Sequence, residues 1–597
     1  MPENFSRNRE ILLLVALGAA IYVGSAFAPA LQDDADAAHA EAAKEMLQRN
    51  DWVTLHINGV RYLEKAPLLY WMTAGCYRLL GVSEFSTRLP LAAAVLALAL
   101  ACGAFGRWAW GPRSSLYAGL CVLTGIGFYL FTRILIPEAL LALVVTLALY
   151  CFLWAYLGEM NARLGYYAFY FFSAAAVLTK GLIGMVLPLG TAGVFVLLTG
   201  GWRRWKELRI FSGTLLLLAV AAPWHILAGL RNQGFFWFYF VNEHFLRYLG
   251  TRYPPDYDTV PLGLFWGLHL GWLFPWSFFL PLAVAGIPGI VRQLGDWLSG
   301  SRQDRDGQVT LFLWIWFLLV VTFFSFSTRQ EYYTYPAFPA LALLLARGIA
   351  RGEERDRPSD RLWLRFGHVA LAVVGVLTAA ALGAALWASR NVPPAGDITA
   401  LLTENPELYR LSLGHLFDLT TEAFAELRYP AAVAAVVLAL GFGGAAWASR
   451  RRPLAARVLL ALTTAGFFYA AHDALGRFDP LLSSKKLAQE IEQRWQPGDQ
   501  VVIRGEYQGG SSLGFYLDRQ VLLWNGRMTG LEFGSRFPDA PPVFLEDADM
   551  ARLWAGPQRV FLFTYEEGTA ELREMVPPGA VHPIASLGDK VILSNRP

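Results

Sequence analysis

The chain has 597 residues, of which 55% are hydrophobic and 16% are charged, and its formal net charge is +3. Soluble proteins carry about 25% charged residues, so this composition excludes an ordinary soluble domain and predicts a membrane protein. The small net charge and the lack of a dense basic tract exclude a nucleic-acid partner.

Apolar stretches recur along most of the chain, and each is long enough to cross a bilayer as a helix of about 20 residues. They predict a mostly α-helical bundle of about 13 transmembrane helices. The candidate segments are residues 11–30, 86–106, 115–131, 136–157, 166–179, 182–199, 209–229, 264–292, 309–325, 334–350, 366–388, 430–448 and 456–473.

The positions of Arg and Lys indicate how these helices are oriented, because cytoplasmic loops carry an excess of both residues. With Arg7 and Arg9 in a cytoplasmic N-terminus, basic residues fall in every second loop along the chain. The first long loop, residues 32–85, and the segment after residue 474 then lie on the outer side of the membrane. The first loop also carries basic residues, but long loops follow the rule poorly.

The first outer loop opens with three aspartates, Asp33, Asp34 and Asp36, directly after the first apolar segment. Residues 36–49 then place Ala and Met at i, i+3 spacing, which predicts an amphipathic helix on the membrane surface with its charged residues on the other faces. An Asn-Gly pair between two β-rich runs predicts a two-residue hairpin after this helix. The hairpin is expected to return the chain to the membrane.

The chain changes character after the last apolar segment, since no further span is predicted beyond about residue 480. Ser484 followed by KKLAQEIEQRW predicts a capped amphipathic helix. The β-like runs VVIRG, VLLW, RVFLF and KVILS follow, separated by Gly and Pro. We therefore expect a transmembrane domain in residues 1–475 and a small α/β domain in residues 476–597 on the outer side.

A series of sequence blocks along residues 10–350 resembles, in order, the ArnT/PMT-like membrane glycosyltransferases. The blocks are AEAAKEML, DWVTLHINGVRYLEKAPLLYW and GVSEFSTRLP in the first loop, then TRILIPEALL, LTKGLIGMVLP, PWHILAGLRNQGFFWFYFVNEHFLRYLG and SFSTRQEYYTYPAFPALALLLA. Each block is weak alone, whereas the ordered set is specific. The resemblance implies a GT-C-type fold and an enzyme that takes a sugar from a polyprenyl-phosphate carrier.

The resemblance also implies where the reaction takes place and which molecules take part. The donor is expected to be a sugar on undecaprenyl phosphate, and the acceptor is expected to be a lipid such as lipid A or a protein. The site is expected at the periplasmic face of a bacterial inner membrane, in a multi-pass protein surrounded by membrane lipids. No nucleotide-binding motif is found, in agreement with catalysis on the side away from cytoplasmic nucleotides.

A carboxylate is needed to take a proton from the acceptor hydroxyl. By the family pattern, Asp34 is the first candidate for this base, Asp36 the second and Asp33 the third. Without a gap Asp36 matches the second acid of the family's pair, and with one inserted residue Asp34 matches the first. The alternative is that these residues only cap a helix and form a solvated rim.

The leaving phosphate needs cations as negative charge develops on it. The resemblance assigns this role to Lys65 in the E-K-x-P block, Arg247 in NEHFLRY and Tyr333 in the Y-x-x-P block. Each has a structural alternative, respectively a snorkelling lysine, an interfacial arginine and a tyrosine of the aromatic belt. Lys180, in LTKG, is a further candidate that could instead pair with a carboxylate.

Functional roles are also predicted for two further acidic residues, Glu138 and Glu64. Glu138 is a further catalytic candidate by the resemblance, because it matches a second acidic position where the family often has Asp. A Glu favoured by the helix dipole just after Pro137 explains it equally well. Glu64 and His244 are both expected to face the cavity and could together bind zinc. Two ligands are too few to predict a metal, so a charge-assisted hydrogen bond between them is favoured. No cofactor is expected to be required, and a divalent cation is the alternative.

Two other classes of function stay open at this point. A transporter or lipid flippase would need charged residues along a path through the membrane midplane and often has internal repeats. The ionisable residues of this chain cluster at the outer ends of the spans, and no repeat is visible. An inactive relative whose outer domain only binds a partner is kept because of the Glu at position 138 and the DDAD pattern.

Overall fold

The computed structural model describes residues 6–255, 259–288, 304–354, 358–393 and 420–597. The strands β1 (His56–Ile57) and β2 (Val60–Arg61) interrupt an otherwise helical first part of the chain. Its helices are α1 (Arg7–Gly18), α2 (Ala35–Arg49), α3 (Leu68–Leu80), α4 (Glu84–Trp110), α5 (Pro112–Thr124), α6 (Ile126–Leu130), α7 (Glu138–Tyr156), α8 (Ala162–Lys180), α9 (Ile183–Leu198), α10 (Ile210–Arg231), α11 (Leu262–Trp272), α12 (Leu280–Val284), α13 (Arg305–Ser325) and α14 (Phe338–Glu354).

The second part of the chain begins with helices and ends in an α/β region. Its helices are α15 (Pro358–Ala388), α16 (Thr421–Glu426), α17 (Arg428–Ala448), α18 (Pro453–Arg477), α19 (Asp479–Leu482), α20 (Lys485–Arg494), α21 (Ser511–Leu517), α22 (Thr529–Glu532), α23 (Asp547–Ala555) and α24 (Thr569–Met575). Its strands are β3 (Gln500–Arg504), β4 (Leu522–Trp524), β5 (Phe544–Leu545), β6 (Val560–Tyr565), β7 (His582–Leu587) and β8 (Lys590–Ser594).

Seven described helices are long and apolar enough to cross a membrane, namely α4, α7, α10, α13, α15, α17 and α18. An eighth span arises if α11 and the segment Trp276–Val284, which are bent by 95° relative to each other, count as one. A helix or helix pair lies in every predicted segment, although the end of segment 264–292 is outside the described residues. The mostly helical, multi-pass membrane fold is confirmed, while the number of about 13 spans stays a prediction.

Helix α2 forms where it was predicted but does not lie on an open surface. Residues 36–46 are all buried, because the C-terminal sheet region covers the helix. Lys44 forms ion pairs with Glu41 at 3.1 Å and with Asp518 at 2.8 Å. Its Nζ also donates to the carbonyl oxygen of Phe515 at 3.0 Å. Lys44, one of the charged residues of this helix, therefore bridges to the C-terminal region.

The predicted hairpin is confirmed. Strands β1 and β2 pair in antiparallel fashion, and both turn residues have positive φ, 54° at Asn58 and 80° at Gly59. Asn-Gly suits this two-residue turn because these residues tolerate the left-handed region better than others. Asn58 Nδ2 donates to the carbonyl oxygen of Val521 at 2.8 Å, and Val521 N–H donates back to Asn58 Oδ1 at 2.9 Å. The hairpin therefore also docks on the C-terminal region.

The C-terminal region is a mixed six-stranded sheet in the order β5-β4-β3-β6-β8-β7. The neighbouring pairs from β5 to β6 are parallel, while β8 is antiparallel to both β6 and β7. The runs VVIRG, VLLW, RVFLF and KVILS correspond to β3, β4, β6 and β8. Strands β5 and β7 were not predicted, since one has two residues and the other contains Pro583.

A shared apolar core joins the first loop to this sheet. Ala38, Ala42 and Met46 of α2 belong to the same buried cluster as Ile503 of β3 and Phe563 of β6. The sheet is therefore fixed against the helix that follows the acidic stretch. The predicted domain boundary at residue 476 stays a prediction.

Candidate active site

Charged residues from separate parts of the chain come together where the first loop meets the neighbouring ends of α7 and α8. The charges of Asp34 and Lys65 lie within interaction range of each other. Lys180 is within range of both Lys65 and Arg247. Tyr332, beside the predicted Tyr333, is within range of Asp34 and Arg247. The predicted site residues therefore occupy one region of the molecule.

Asp36 is buried among structural contacts and is only 1% exposed. Its carboxylate accepts hydrogen bonds from the N–H of Gln32 at 3.1 Å and of Leu135 at 2.9 Å. Arg88, on the first turns of α4, lies 3.5 Å from the same carboxylate. These contacts tie the start of α2 to the turn before α7 and leave no room for an acceptor.

Asp34 is exposed and directly precedes α2. The residue as a whole is exposed, whereas its carboxyl group lies in a recess that protein surrounds closely enough to affect its ionisation. Desolvation in this recess, together with the negative charges of Glu506 and Asp33, raises the pKa of Asp34 to about 6, and Lys65 opposes the shift. A carboxylate with this pKa is ionised near neutral pH and is a stronger base than an ordinary aspartate.

Asp33 points away from the site and into the C-terminal region. Its carboxylate accepts hydrogen bonds from Ser484, Ser512 and Lys590. The predicted N-cap hydrogen bond of Ser484 is not formed, because the hydroxyl of this residue donates to Asp33. Asp33 is therefore occupied by structural contacts.

An alternating chain of anions and cations extends from the first loop to the segment after α10. Lys65 pairs with Glu64 at 2.9 Å, and Arg252 pairs with Glu64 at 2.6 Å. Arg252 also contacts Glu243 at 2.8 Å, and Arg247 contacts Glu243 at 3.2 Å. Burial alone would raise the pKa of Glu64, but the neighbouring cations outweigh it and hold this pKa well below its usual value. Glu64 is thus ionised and offsets part of the positive charge.

Lys180 forms an ion pair with Glu138, in agreement with the alternative given for this lysine. Glu138 is 1% exposed, and its Oε2 accepts no hydrogen bond from the described residues. The Lys180 ammonium also lies 4.8 Å from the centre of the Tyr333 ring. These three predicted residues therefore form one cluster beside the chain of ion pairs.

The expected hydrogen bond between Glu64 and His244 is not formed. His244 Nε2 accepts from the N–H of Leu182 at 3.0 Å, and Nδ1 lies 2.6 Å from the carbonyl oxygen of Tyr239. Glu64 is bonded instead to its cations and to the hydroxyl of Tyr62 at 2.7 Å. Among the described residues, no group of three or more His, Cys, Asp or Glu side chains is placed to hold a metal ion.

Four further residues of this region were not predicted from the sequence, namely Arg252, Glu243, Tyr332 and Glu506. The first three lie within or just beyond the recognised blocks, so their charge and position were available signals. Glu506 follows β3 in the C-terminal region, where it accepts a hydrogen bond from Thr529. No motif pointed to it, because its proximity to Asp34 depends on how the sheet packs on α2.

The fold and the site together define a multi-pass membrane protein with a charged recess at one end of its helices, covered by an α/β sheet. Residues 11–240 match the sequence model of the PMT family, dolichyl-phosphate-mannose-protein mannosyltransferase. The crystal structure of ArnT from Cupriavidus metallidurans bound to undecaprenyl phosphate has a TM-score of 0.77 and 23% identity with this chain. The match covers 99% of this chain and 98% of that one.

Relatives with curated names also match this chain. Two proteins named undecaprenyl phosphate-alpha-4-amino-4-deoxy-L-arabinose arabinosyl transferase are each 30% identical to this chain, one from Aeromonas hydrophila subsp. hydrophila and one from Pseudomonas paraeruginosa. The matches cover 57% and 58% of this chain and 60% of the length of each relative. The resemblance to the ArnT/PMT-like family is confirmed, and the fold is of the GT-C type.

Proposed function

We propose that this protein is a glycosyltransferase that moves a sugar from undecaprenyl phosphate to a lipid or protein acceptor. The reaction would take place at the periplasmic face of a bacterial inner membrane, with the N-terminus in the cytoplasm. The observation that carries the proposal is the convergence of the Asp34 carboxylate with Lys65 and Arg247. These two cations are joined by the chain of ion pairs through Glu64, Arg252 and Glu243. Such a recess can bind a phosphate and remove a proton at neighbouring positions.

In the proposed reaction, Asp34 accepts the proton of the acceptor hydroxyl. The hydroxyl oxygen forms a bond to the anomeric carbon as the bond from that carbon to the carrier phosphate oxygen breaks. Lys65, Arg247 and the hydroxyl of Tyr333 stabilise the negative charge that develops on the leaving phosphate. A single displacement of this kind inverts the anomeric centre.

Asp34 is preferred as the base because it is the exposed residue of the three. The carboxylates of Asp36 and Asp33 accept structural hydrogen bonds from Leu135 and Ser512. Lys180 is proposed to act through its pair with Glu138, placing a cation beside Tyr333. No cofactor is proposed to be required. A divalent cation at Glu64 and His244 is the alternative, and it would have to displace the hydrogen bond to His244 Nε2.

The names of the relatives suggest the first donor to test, undecaprenyl phosphate carrying 4-amino-4-deoxy-L-arabinose. The purified full-length protein in detergent is incubated with this donor and lipid A, and the products are analysed by mass spectrometry. We expect sugar-modified lipid A and free undecaprenyl phosphate. The activity should be lost in Asp34→Asn and retained in Asp539→Asn, which changes an exposed aspartate paired with Arg61.

A parallel experiment separates this proposal from a transporter. The same donor is placed in the outer leaflet of protein-containing liposomes without an acceptor. Movement of intact donor to the inner leaflet, together with no transfer in detergent, would contradict the proposal. If another donor or acceptor is used in the cell, a deletion strain should accumulate that carrier-linked sugar and lack one envelope modification.

A further inference from the structure

The C-terminal region donates hydrogen bonds to both carboxylate oxygens of Asp33. Both Asp33 oxygens are used, since Oδ1 accepts from the N–H of Ser512 at 2.9 Å and from its hydroxyl at 2.7 Å. Oδ2 accepts from Ser484 Oγ at 2.6 Å and from Lys590 Nζ at 2.7 Å. Lys590 is itself only 3% exposed, so this ion pair is removed from solvent. Every donor comes from the chain beyond α19.

The same region also holds the backbone around Asp34. Asp33 N–H donates to the carbonyl oxygen of Leu482, and Asp34 N–H donates to that of Gln508, both at 2.7 Å. Ser511 Oγ donates to the carbonyl oxygen of Asp34 at 3.1 Å. The hydroxyl of Tyr565, on β6, donates to the carbonyl oxygen of Gly509 at 2.9 Å and so steadies the same loop.

The Asp34 backbone needs such support. Its φ is 72° and its ψ is −135°, a combination that residues with a side chain rarely adopt. A strained conformation persists only where surrounding contacts impose it. Here those contacts come from the sheet region and from the N–H of Ala38, one turn into α2. The direction of the Asp34 side chain therefore depends on a part of the chain that carries no recognised motif.

We propose that the C-terminal α/β region positions the base of the transfer reaction, with Asp33, Lys590 and Ser512 as positioning residues that fix the backbone of Asp34. The inference rests on the proposed role of Asp34 as the base. In this proposal the C-terminal region covers the site and also fixes the position of its base. Its contribution should appear in the rate of the chemical step and not in the binding of the donor.

Other contacts allow a matched comparison. Lys44 is also buried and also joins the first loop to the C-terminal region, through Asp518 and the carbonyl oxygen of Phe515. It lies on α2, far along the helix from Asp34. Lys44→Met and Lys590→Met therefore each remove a buried ammonium group. Only Lys590→Met removes a contact to Asp33, the residue next to the proposed base.

The experiment measures kcat, the donor KM and the melting temperature of full-length variants in the detergent assay described above. In Lys590→Met we expect kcat to fall by about 100-fold, because a small misplacement of a reacting group costs this much. The donor KM should stay within about twofold, since uniform binding is unchanged. Lys44→Met should lower the melting temperature to a similar extent and keep the wild-type kcat.

The pH profile gives a readout that a purely structural role would not change. Among the described residues, the charged and titratable groups within range of Asp34 include Glu506, Asp33, Lys65, Tyr332 and Tyr565. The negative charge of Asp33 contributes to the raised pKa of Asp34. Asp33→Asn removes that charge, so the acidic limb of kcat/KM should move to lower pH while kcat falls.

The outcomes separate the two proposals. One outcome would contradict the positioning role alone: Asp34→Asn is inactive, while Lys590→Met and Asp33→Asn have the same kcat as Lys44→Met. The assignment of Asp34 as the base would then still hold. If Asp34→Asn keeps full activity, the assignment of the base is wrong. In an Asp34→Asn background, Asp33→Asn should cause no further loss, because residues that act as a unit are not additive.

A milder variant covers the case in which Lys590→Met does not fold. Ser512→Ala removes one hydroxyl donor and keeps the backbone N–H that also binds Asp33. We expect a several-fold lower kcat with an unchanged donor KM. A wild-type kcat in a folded Ser512→Ala and in Asp33→Asn would overturn the proposal.

Discussion

The two regions that build the site differ in what their sequences reveal. The first 350 residues supply Asp34, Lys65 and Arg247, and all of these lie in or beside blocks that resemble a known family. The C-terminal region supplies Lys590 and Glu506, and its sequence carries no such block. The residues proposed to contact the substrate can be recognised from local sequence, whereas those proposed to hold them in place are found only when the packing is known.

The largest effect is expected at the base. Asp34→Asn keeps the size and most hydrogen-bonding capacity of the side chain but cannot accept the proton. We expect kcat to fall by about 10³-fold at pH 7, with the melting temperature unchanged within error. The measurement is the initial rate of transfer from the undecaprenyl-linked donor. A rate near that of the wild type would place the base elsewhere.

Asp36→Asn provides the contrast to this variant. Asp36 is buried and lies beside Arg88, so loss of its charge leaves a buried guanidinium without its anionic partner, with only backbone carbonyl oxygens as acceptors among the described residues. We expect a loss of about 3 kcal/mol in the free energy of unfolding. The protein that remains folded should retain its kcat, and a selective loss of kcat without destabilisation would favour Asp36 as the base.

The second-largest effect is expected from removing the cations proposed to bind the leaving phosphate. Lys65→Ala and Arg247→Ala should each lower kcat by about 100-fold, because each removes a cation from the developing charge. Lys486→Ala and Arg494→Ala, on exposed parts of α20, are matched controls and should keep the wild-type rate. Loss of donor affinity with an unchanged kcat would mean that these cations bind the phosphate equally in the ground state and in the transition state.

A smaller effect sharpens the comparison between the two regions. Glu506→Gln removes a negative charge that raises the pKa of Asp34, which is about 6 in the wild-type protein. The pKa of Asp34 should therefore fall, and the acidic limb of kcat/KM should shift to lower pH. The rate at pH 7 should change little, since Asp34 is already ionised there. Glu567→Gln, on an exposed turn, should leave the profile unchanged.

The smallest effect is expected from metal removal. Both ring nitrogens of His244 are already engaged by backbone groups, and Glu64 is bonded to cations. Treatment with EDTA should therefore leave the initial rate unchanged, and added zinc should not raise it. A loss of activity that zinc restores would show that Glu64 and His244 rearrange to bind the ion.

Much of the fold could be predicted because its signals are local. Long apolar segments predicted the helices, and the Asn-Gly pair predicted the hairpin with its two positive φ values. The burial of α2 could not be predicted, since the C-terminal region that covers it lies far along the chain. The hydrogen bond from Lys44 to Phe515 of α21, for example, joins residues that are 471 positions apart.

The sequence also predicted that several of the proposed site residues lie close together, whereas their roles stay predictions. Family blocks indicated Lys65, Arg247, Tyr333 and Lys180, and the structure brings them together. The choice among the aspartates could not be made from spacing alone. It depends on long-range contacts, since Asp36 is occupied by Leu135 and Asp33 by Lys590.

The most direct measurement is an experimental structure of the full-length protein with undecaprenyl phosphate bound. We expect the phosphate oxygens to lie about 2.7–2.9 Å from Lys65 Nζ and from the Arg247 guanidinium, with the Asp34 carboxylate facing the same recess. A phosphate bound at another part of the molecule, or on the far side of the recess from Asp34, would contradict it.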